Sequence, residues 1–249
     1  MEPFTIITPV SKNNNDLSFT ADSLIDVATK LEFEWLVVCP QFEYDAIVNN
    51  DSLIKVPNVR VICEERNSIY GAYNTALNNI TSKYYLPLSA GDSILKDSLD
   101  CLTNALNDLK LNDWYIVFFS VLKSGGVIKA QDSILSLIRT SGFSSGHSSS
   151  CIISMDAHKF YGFYDESFKL AADNYFFERV YKGSKNRIHW ISGCILGYFK
   201  GGGISVQNMD KTIRELYLTR VKAGRSKHKE GFIYLYRFLK YIYLSRKPK

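Results

Sequence analysis

The 249-residue chain is poor in usable cysteine chemistry. Its five cysteines, Cys39, Cys63, Cys101, Cys151 and Cys194, are scattered, odd in number and free of any C-x-x-C pair. That spacing argues against both a structural zinc site and a disulfide framework, and leads us to expect reduced thiols in a cytosolic compartment. No apolar run approaches the ~20 residues that cross a bilayer. The opening residues lack a basic segment and a long apolar core, so no signal peptide is expected. Internal repeats, low-complexity segments and long linkers are missing too. So is a Gly-rich phosphate loop with a following Lys near the start, which disfavours a nucleotidyltransferase.

What remains is an ordinary globular composition, 46% hydrophobic and 22% charged, long enough for one large α/β domain. The net charge of +5 is uneven. Between Lys211 and Lys249 stand twelve Lys/Arg against two Glu, so the rest of the chain is mildly acidic.

Strand and helix signals alternate through the first half. Phe4–Thr8, Phe33–Val38, Val59–Cys63 and Tyr84–Leu88 read as strands. Leu17–Leu31, Ile69–Ile80 and about Lys96–Leu109 carry apolar residues at helical spacing. This order predicts right-handed βαβ units and a mostly parallel sheet flanked by helices. After Asp113 we expect a strand at Trp114–Leu122, a turn, and a return at Val127–Ala130 pairing antiparallel. A Gly/Ser-rich loop at Ser141–Ser150 holds His147, and a strand at Ser150–Ser154, a helix at Lys169–Lys182 and a strand at Ile188–Tyr198 follow.

The run Tyr84-Tyr85-Leu86-Pro87-Leu88-Ser89-Ala90-Gly91-Asp92 reads as a buried strand that gives way to small residues and then exposes one carboxylate. Parallel α/β sheets bind ligands beyond the carboxyl ends of their strands. A carboxylate there suits a hard divalent cation that keeps positions open for phosphate oxygens. The alternative is a cap on a helix starting near Ser93.

The order of these elements resembles glycosyltransferase family 2, inverting enzymes of the GT-A fold, and within it the bacterial enzymes of O-antigen, capsule and exopolysaccharide assembly. The resemblance runs from about Thr5 to Ser205. It rests on Thr5-Ile6-Ile7-Thr8-Pro9-Val10, Asn67-Ser68-Ile69-Tyr70-Gly71-Ala72-Tyr73-Asn74 and Leu86–Asp92. Gly146–Ile153, Tyr161–Glu166, Leu170–Tyr175 with Arg179 and Tyr181, and Gly202–Ser205 complete it. The chain departs from the family pattern at four places. The second strand ends in Cys39-Pro40 without a base-reading Asp, Gly71 and Tyr175 stand where the family carries Asp, and the metal motif has one carboxylate.

The resemblance implies an α/β GT-A domain over residues 1–210, followed by a basic, aromatic helical tail over 211–249. It implies a metal-dependent hexosyltransferase that moves a sugar from a nucleotide-sugar, UDP-hexose or UDP-N-acetylhexosamine, to a lipid-diphosphate-linked saccharide. Asp92 would hold Mn²⁺ or Mg²⁺ and Asp173 would be the base, the other reading of Asp173 being a first-turn Asp that favours the helix dipole. Thr8, Pro9, Glu64, Arg66, Asn74, Ala90, Gly91 and His147 would line the donor site. The alternative is a catalytically inactive, membrane-associated relative acting as an interaction subunit. The segment from Gly231 onward, too short to span a bilayer, suits an interfacial helix on the anionic inner face of the cytoplasmic membrane, or a surface packed on the domain or on a second copy in a homodimer. No nucleic-acid motif accompanies it.

Overall fold

A computed structural model describes residues 4–10, 16–65, 68–132 and 148–245. The strands are β1 (Phe4–Pro9), β2 (Phe33–Pro40), β3 (Val59–Glu64), β4 (Tyr84–Pro87), β5 (Ser93–Ile94), β6 (Ile116–Lys123), β7 (Gly126–Ile128), β8 (Cys151–Ser154) and β9 (Ile188–Phe199). The helices are α1 (Leu17–Ala28), α2 (Tyr44–Val48), α3 (Asp51–Ile54), α4 (Ile69–Leu77), α5 (Leu99–Asn112), α6 (Met155–Tyr161), α7 (Ala172–Ser184), α8 (Ile204–Gln207), α9 (Met209–Lys222) and α10 (Lys227–Ser245).

One sheet in the order β3-β2-β1-β4-β8-β6-β9-β5 organises the chain, with β7 pairing β6 at its side. The β3/β2, β2/β1, β1/β4 and β6/β9 pairs are parallel, and β8, β5 and β7 run against their neighbours. Thus β1 to β4, β6 and β9 share one direction, the mixed and mostly parallel sheet expected.

Side chains alternate across this sheet. Ile6, Trp35, Val37 and Leu86 pack on one face with Leu24 of α1 and Leu102 of α5. Ile7, Leu36, Val38 and Tyr85 pack on the other with Ala76 of α4, Ala157 of α6 and Phe176 of α7. Successive residues of β1, β2 and β4 are therefore buried on both faces, which explains their nearly unbroken apolar runs.

Two expectations are corrected. Cys101 of α5 and Cys194 of β9 are joined as a disulfide, while Cys39, Cys63 and Cys151 are free. The pair is 93 residues apart in sequence and meets only because α5 packs on β9, which no local spacing reveals. Second, no helix starts at Ser93. Ser93 and Ile94 form β5 against Gly197 and Tyr198 of β9, and the helix waits until Leu99. The cap reading of Asp92 falls with it.

The basic segment beyond residue 210 opens with α9, which lies along α7. Its Glu215 accepts the backbone N–H groups of Lys169, Leu170 and Ala171 at 3.0, 2.8 and 3.1 Å. Thr219 donates to Asn174 Oδ1 at 3.0 Å, and Arg220, fully buried, lies between Glu178 of α7 and Glu230 of α10.

Candidate active site

The site forms at the carboxyl end of β4, where the strand order turns back beside β1. The chain leaves β4 through a tight turn in which the Asp92 N–H donates to Ser89 O at 3.0 Å. The third residue of that turn, Gly91, has φ +91°, a conformation only glycine adopts without strain. Thr20 of α1 fixes the turn from below. Its hydroxyl donates to Asp92 O at 2.8 Å and accepts the Gly91 N–H at 2.9 Å.

This clamp holds the Asp92 carboxylate in a nearly dry position, 3% exposed. Oδ1 accepts the backbone N–H of Lys200 at 3.2 Å. Oδ2 is buried and finds no hydrogen-bond partner of normal geometry among the described residues, although the Ser149 hydroxyl is near enough to ease its charge. Burial pushes the carboxyl up to about 6, a rise that Ser149 and the Lys200 N–H only partly offset. The Lys200 ammonium pairs with Asp16, and both side chains pack over Gly91.

Asp173 enters from the other side, in the first turn of α7. Tyr70 of α4 donates to its Oδ1 at 2.8 Å, as does the Asn174 N–H at 2.8 Å, and the Ser148 side chain adds a further hydrogen bond. Burial raises its pKa, and these donors hold the rise back. Tyr73, one turn along α4 from Tyr70, links the two acids. Its phenol lies within electrostatic reach of both Asp173 and Asp92 and hydrogen-bonds with Ser89, so the two carboxylates lie near one another. The Ser148–Ser150 turn, with Ser149 Oγ 3.4 Å from Ser89 Oγ, forms the wall between them.

The remaining sequence candidates divide. Ala90 and Gly91 build the turn that carries Asp92, but the Gly91 N–H is committed to Thr20. Thr8 is fully buried and its hydroxyl accepts the Trp35 indole N–H at 2.9 Å, while Pro9 closes β1 beside Val38. Glu64 accepts the Ser68 N–H at the start of α4. Its Oε1 lies 2.6 Å from where a Cβ on Gly71 would stand, so Gly71 leaves room for the Glu64 carboxylate. Both N–H bonds of the Asn74 amide go to Tyr164 O and Glu166 Oε1, at 2.9 Å each, and its oxygen accepts the Tyr164 N–H at 3.0 Å. Asn74 thereby ties α4 to the loop before α7. Arg66 and His147 lie outside the described residues.

Sequence reasoning missed Asp16, Tyr70, Tyr73, Ser89, Ser148, Ser149 and Lys200 as site residues. Tyr70 and Tyr73 carried a signal, since a tyrosine pair one turn apart opens the helix that follows β3. Lys200 carried none, because its place depends on β9 returning past β5.

The donor set was tested against a divalent cation. Among the described residues no group of three or more His, Cys, Asp or Glu gathers, so no protein-only cage exists. A single carboxylate with one unsatisfied buried oxygen fits an ion that takes its other ligands from water and phosphate, as Mg²⁺ and Mn²⁺ do. An open cleft of about 410 Å³ lined by Thr5, Glu34, Asn58, Arg60 and Ser82 lies at the amino ends of β1, β2 and β3, the wrong end of the sheet for this chemistry.

No protein-family model and no curated protein matches this chain. Solved structures do. A 1–349 portion of S. aureus TarS superposes with a TM-score of 0.63 at 20% identity, covering 96% of this chain and 71% of that one. The same portion in complex with UDP-GlcNAc gives 0.62 at 19%, covering 96% and 72%. The mannosyltransferase PcManGT from Pyrobaculum calidifontis, in complex with GDP-Man and Mn²⁺, gives 0.70 at 16%, covering 94% and 71%. At such identities a likeness carries the architecture and leaves the activity to be argued from the site. The chain has the GT-A glycosyltransferase fold that its sequence resembles.

Proposed function

We propose that this protein is an inverting glycosyltransferase that moves a hexose or N-acetylhexosamine from a nucleotide-sugar to a lipid-diphosphate-linked saccharide, as in bacterial surface-polysaccharide assembly. One observation carries the proposal. Two carboxylates of different environment, Asp92 beyond the carboxyl end of β4 and Asp173 in the first turn of α7, lie close enough that both act on Tyr73. The nucleotide-sugar complexes of the similar folds, UDP-GlcNAc in TarS and GDP-Man with Mn²⁺ in PcManGT, support the donor class.

Asp92 is the residue that would hold Mn²⁺ or Mg²⁺, which when bound supplies Lewis-acid neutralisation of charge on the departing diphosphate. Asp173 takes the proton from the acceptor hydroxyl. The acceptor oxygen then bonds to the anomeric carbon as the bond to the phosphate oxygen breaks, its electron pair leaving with the nucleoside diphosphate, and the configuration inverts. Tyr70 and the Asn174 N–H orient the Asp173 carboxylate for that proton transfer. Its raised pKa brings the base nearer to neutral operating pH, the direction that favours proton abstraction.

The test is incubation of the purified protein with a panel of UDP- and GDP-sugars, Mn²⁺ and a diphospholipid-linked saccharide. Acceptor-dependent release of nucleoside diphosphate from one donor is expected. Neither transfer nor hydrolysis with any donor would count decisively against the proposal.

A further inference from the structure

α10 carries an apolar stripe on its outer side. A helix on a water-soluble domain ordinarily turns its apolar stripe to the core and its charges to solvent. Here two charged side chains go in. Glu230 and Arg237 are buried, Glu230 lying against Arg220 of α9. Meanwhile Phe232, Leu235, Tyr236 and Leu239 face outward, 76%, 51%, 52% and 56% exposed. Their spacing, i, i+3, i+4 and i+7, sets them in one stripe. Lys229 and Lys240, both exposed, stand along one edge of it. Tyr217 of α9 and Tyr234 of α10, with ring centroids 5.6 Å apart, belong to the inner side and help fix the helix in this orientation.

We propose that this outer face of α10 docks the protein in the plane of an anionic lipid surface. The chemistry of the face selects the occupant. Aromatic and leucine side chains sink into the headgroup boundary while lysines at the rim meet lipid phosphates, the pattern of an interfacial helix. At 19 residues, about 28 Å long, α10 is not apolar enough to cross a bilayer, and none of the described helices is. A second copy of the chain is a poorer match. The only carboxylate of α10, Glu230, is committed inward, so two such faces would bring lysine against lysine with no anion between them. The sequence continues into Arg246, Lys247 and Lys249, three further positive charges. The inference stands apart from the transfer chemistry, since it uses no residue of the candidate site.

The experiment is co-sedimentation of the full chain with vesicles of phosphatidylcholine alone or mixed with phosphatidylglycerol. Binding to the mixed vesicles, release by high salt, and little binding to phosphatidylcholine are expected. The pair Phe232→Ser/Leu239→Ser should weaken binding about tenfold or more, because it removes two of the four apolar side chains of the stripe. The pair Lys229→Glu/Lys240→Glu should weaken it selectively on anionic vesicles. All four positions are at the surface, so circular dichroism and urea unfolding should not change. Absence of binding to anionic vesicles at low salt would overturn the proposal, as would binding indifferent to both pairs. A dimer in analytical ultracentrifugation that Phe232→Ser/Leu239→Ser abolishes would overturn it too, by giving the face to a second copy.

Discussion

Asp92 is held where it is uncomfortable. Its second oxygen is buried without a proper donor, and its carboxyl is raised from 3.8 to about 6. A carboxylate whose folded pKa is raised costs stability above that pKa, since the folded state binds the proton more tightly than the unfolded chain does. That rise corresponds to a cost of about 3 kcal/mol at pH 7, which a bound cation or a proton removes. Asp92→Asn should therefore make the metal-free protein more stable by that order in urea unfolding at pH 7. It should also abolish any Mn²⁺-dependent gain in nucleotide affinity measured by calorimetry. A destabilised Asp92→Asn protein that still binds nucleotide with Mn²⁺ would show that this carboxylate has another duty. Asp92 could be singled out in the sequence because its signal is local: an apolar strand, three small residues, an acid. Thr8, Glu64 and Asn74 carry equally local signals, yet their polar atoms are committed to Trp35, Ser68 and Tyr164. Such commitments are made across the fold and leave no trace in a short window.

Among the elements, α9 governs the site from a distance. Glu215 gathers three successive N–H groups at residues 169–171, the last residues before the helix that bears Asp173. Without that carboxylate these donors lose their acceptor, at a cost of about 2 kcal/mol. The start of α7 then loses its fixed position. Glu215→Ala should lower kcat by about tenfold or more through misplacement of the proposed base, with the KM for the donor nearly unchanged. Steady-state kinetics separates the two parameters, and an effect confined to KM would assign α9 to donor binding instead. The strands and helices of the sheet were legible because period and punctuation are properties of short segments. The boundaries shifted where tertiary pairing intervened: β5 took Ser93 and Ile94 because β9 was there to receive them. Likewise, α9 and α10 read together as one basic tail, although only packing reveals that the first supports α7 and the second turns its apolar side out.

For the molecule as a whole, the second hydrophobic cluster contains a buried titrating group. His158 stacks on Phe176 with centroids 4.1 Å apart, accepts from or donates to Tyr85 Oη at 2.7 Å, and meets Gly162 O at 3.2 Å. Burial lowers its pKa from 6.5 to about 4. Between those values the unfolded chain binds the proton and the folded one does not, so this part of the stability is complete above pH 6.5 and is lost as the pH falls toward 4. From pH 7.5 to 5, wild-type unfolding free energy should fall by about 2 kcal/mol relative to His158→Gln, as read from urea midpoints. Parallel pH dependences for the two proteins would mean that the imidazole is solvated in the native state.

The proposed function divides labour between two neighbouring carboxylates, with Asp92 proposed to serve the leaving diphosphate and Asp173 the attacking hydroxyl. The most direct measurement compares wild type and Asp173→Asn with the best donor, both for turnover and for donor affinity in the presence of Mn²⁺. We predict a loss of about 10²–10⁴-fold in turnover with donor affinity nearly intact. Wild-type turnover in Asp173→Asn, or a loss that appears equally in donor binding, would contradict it.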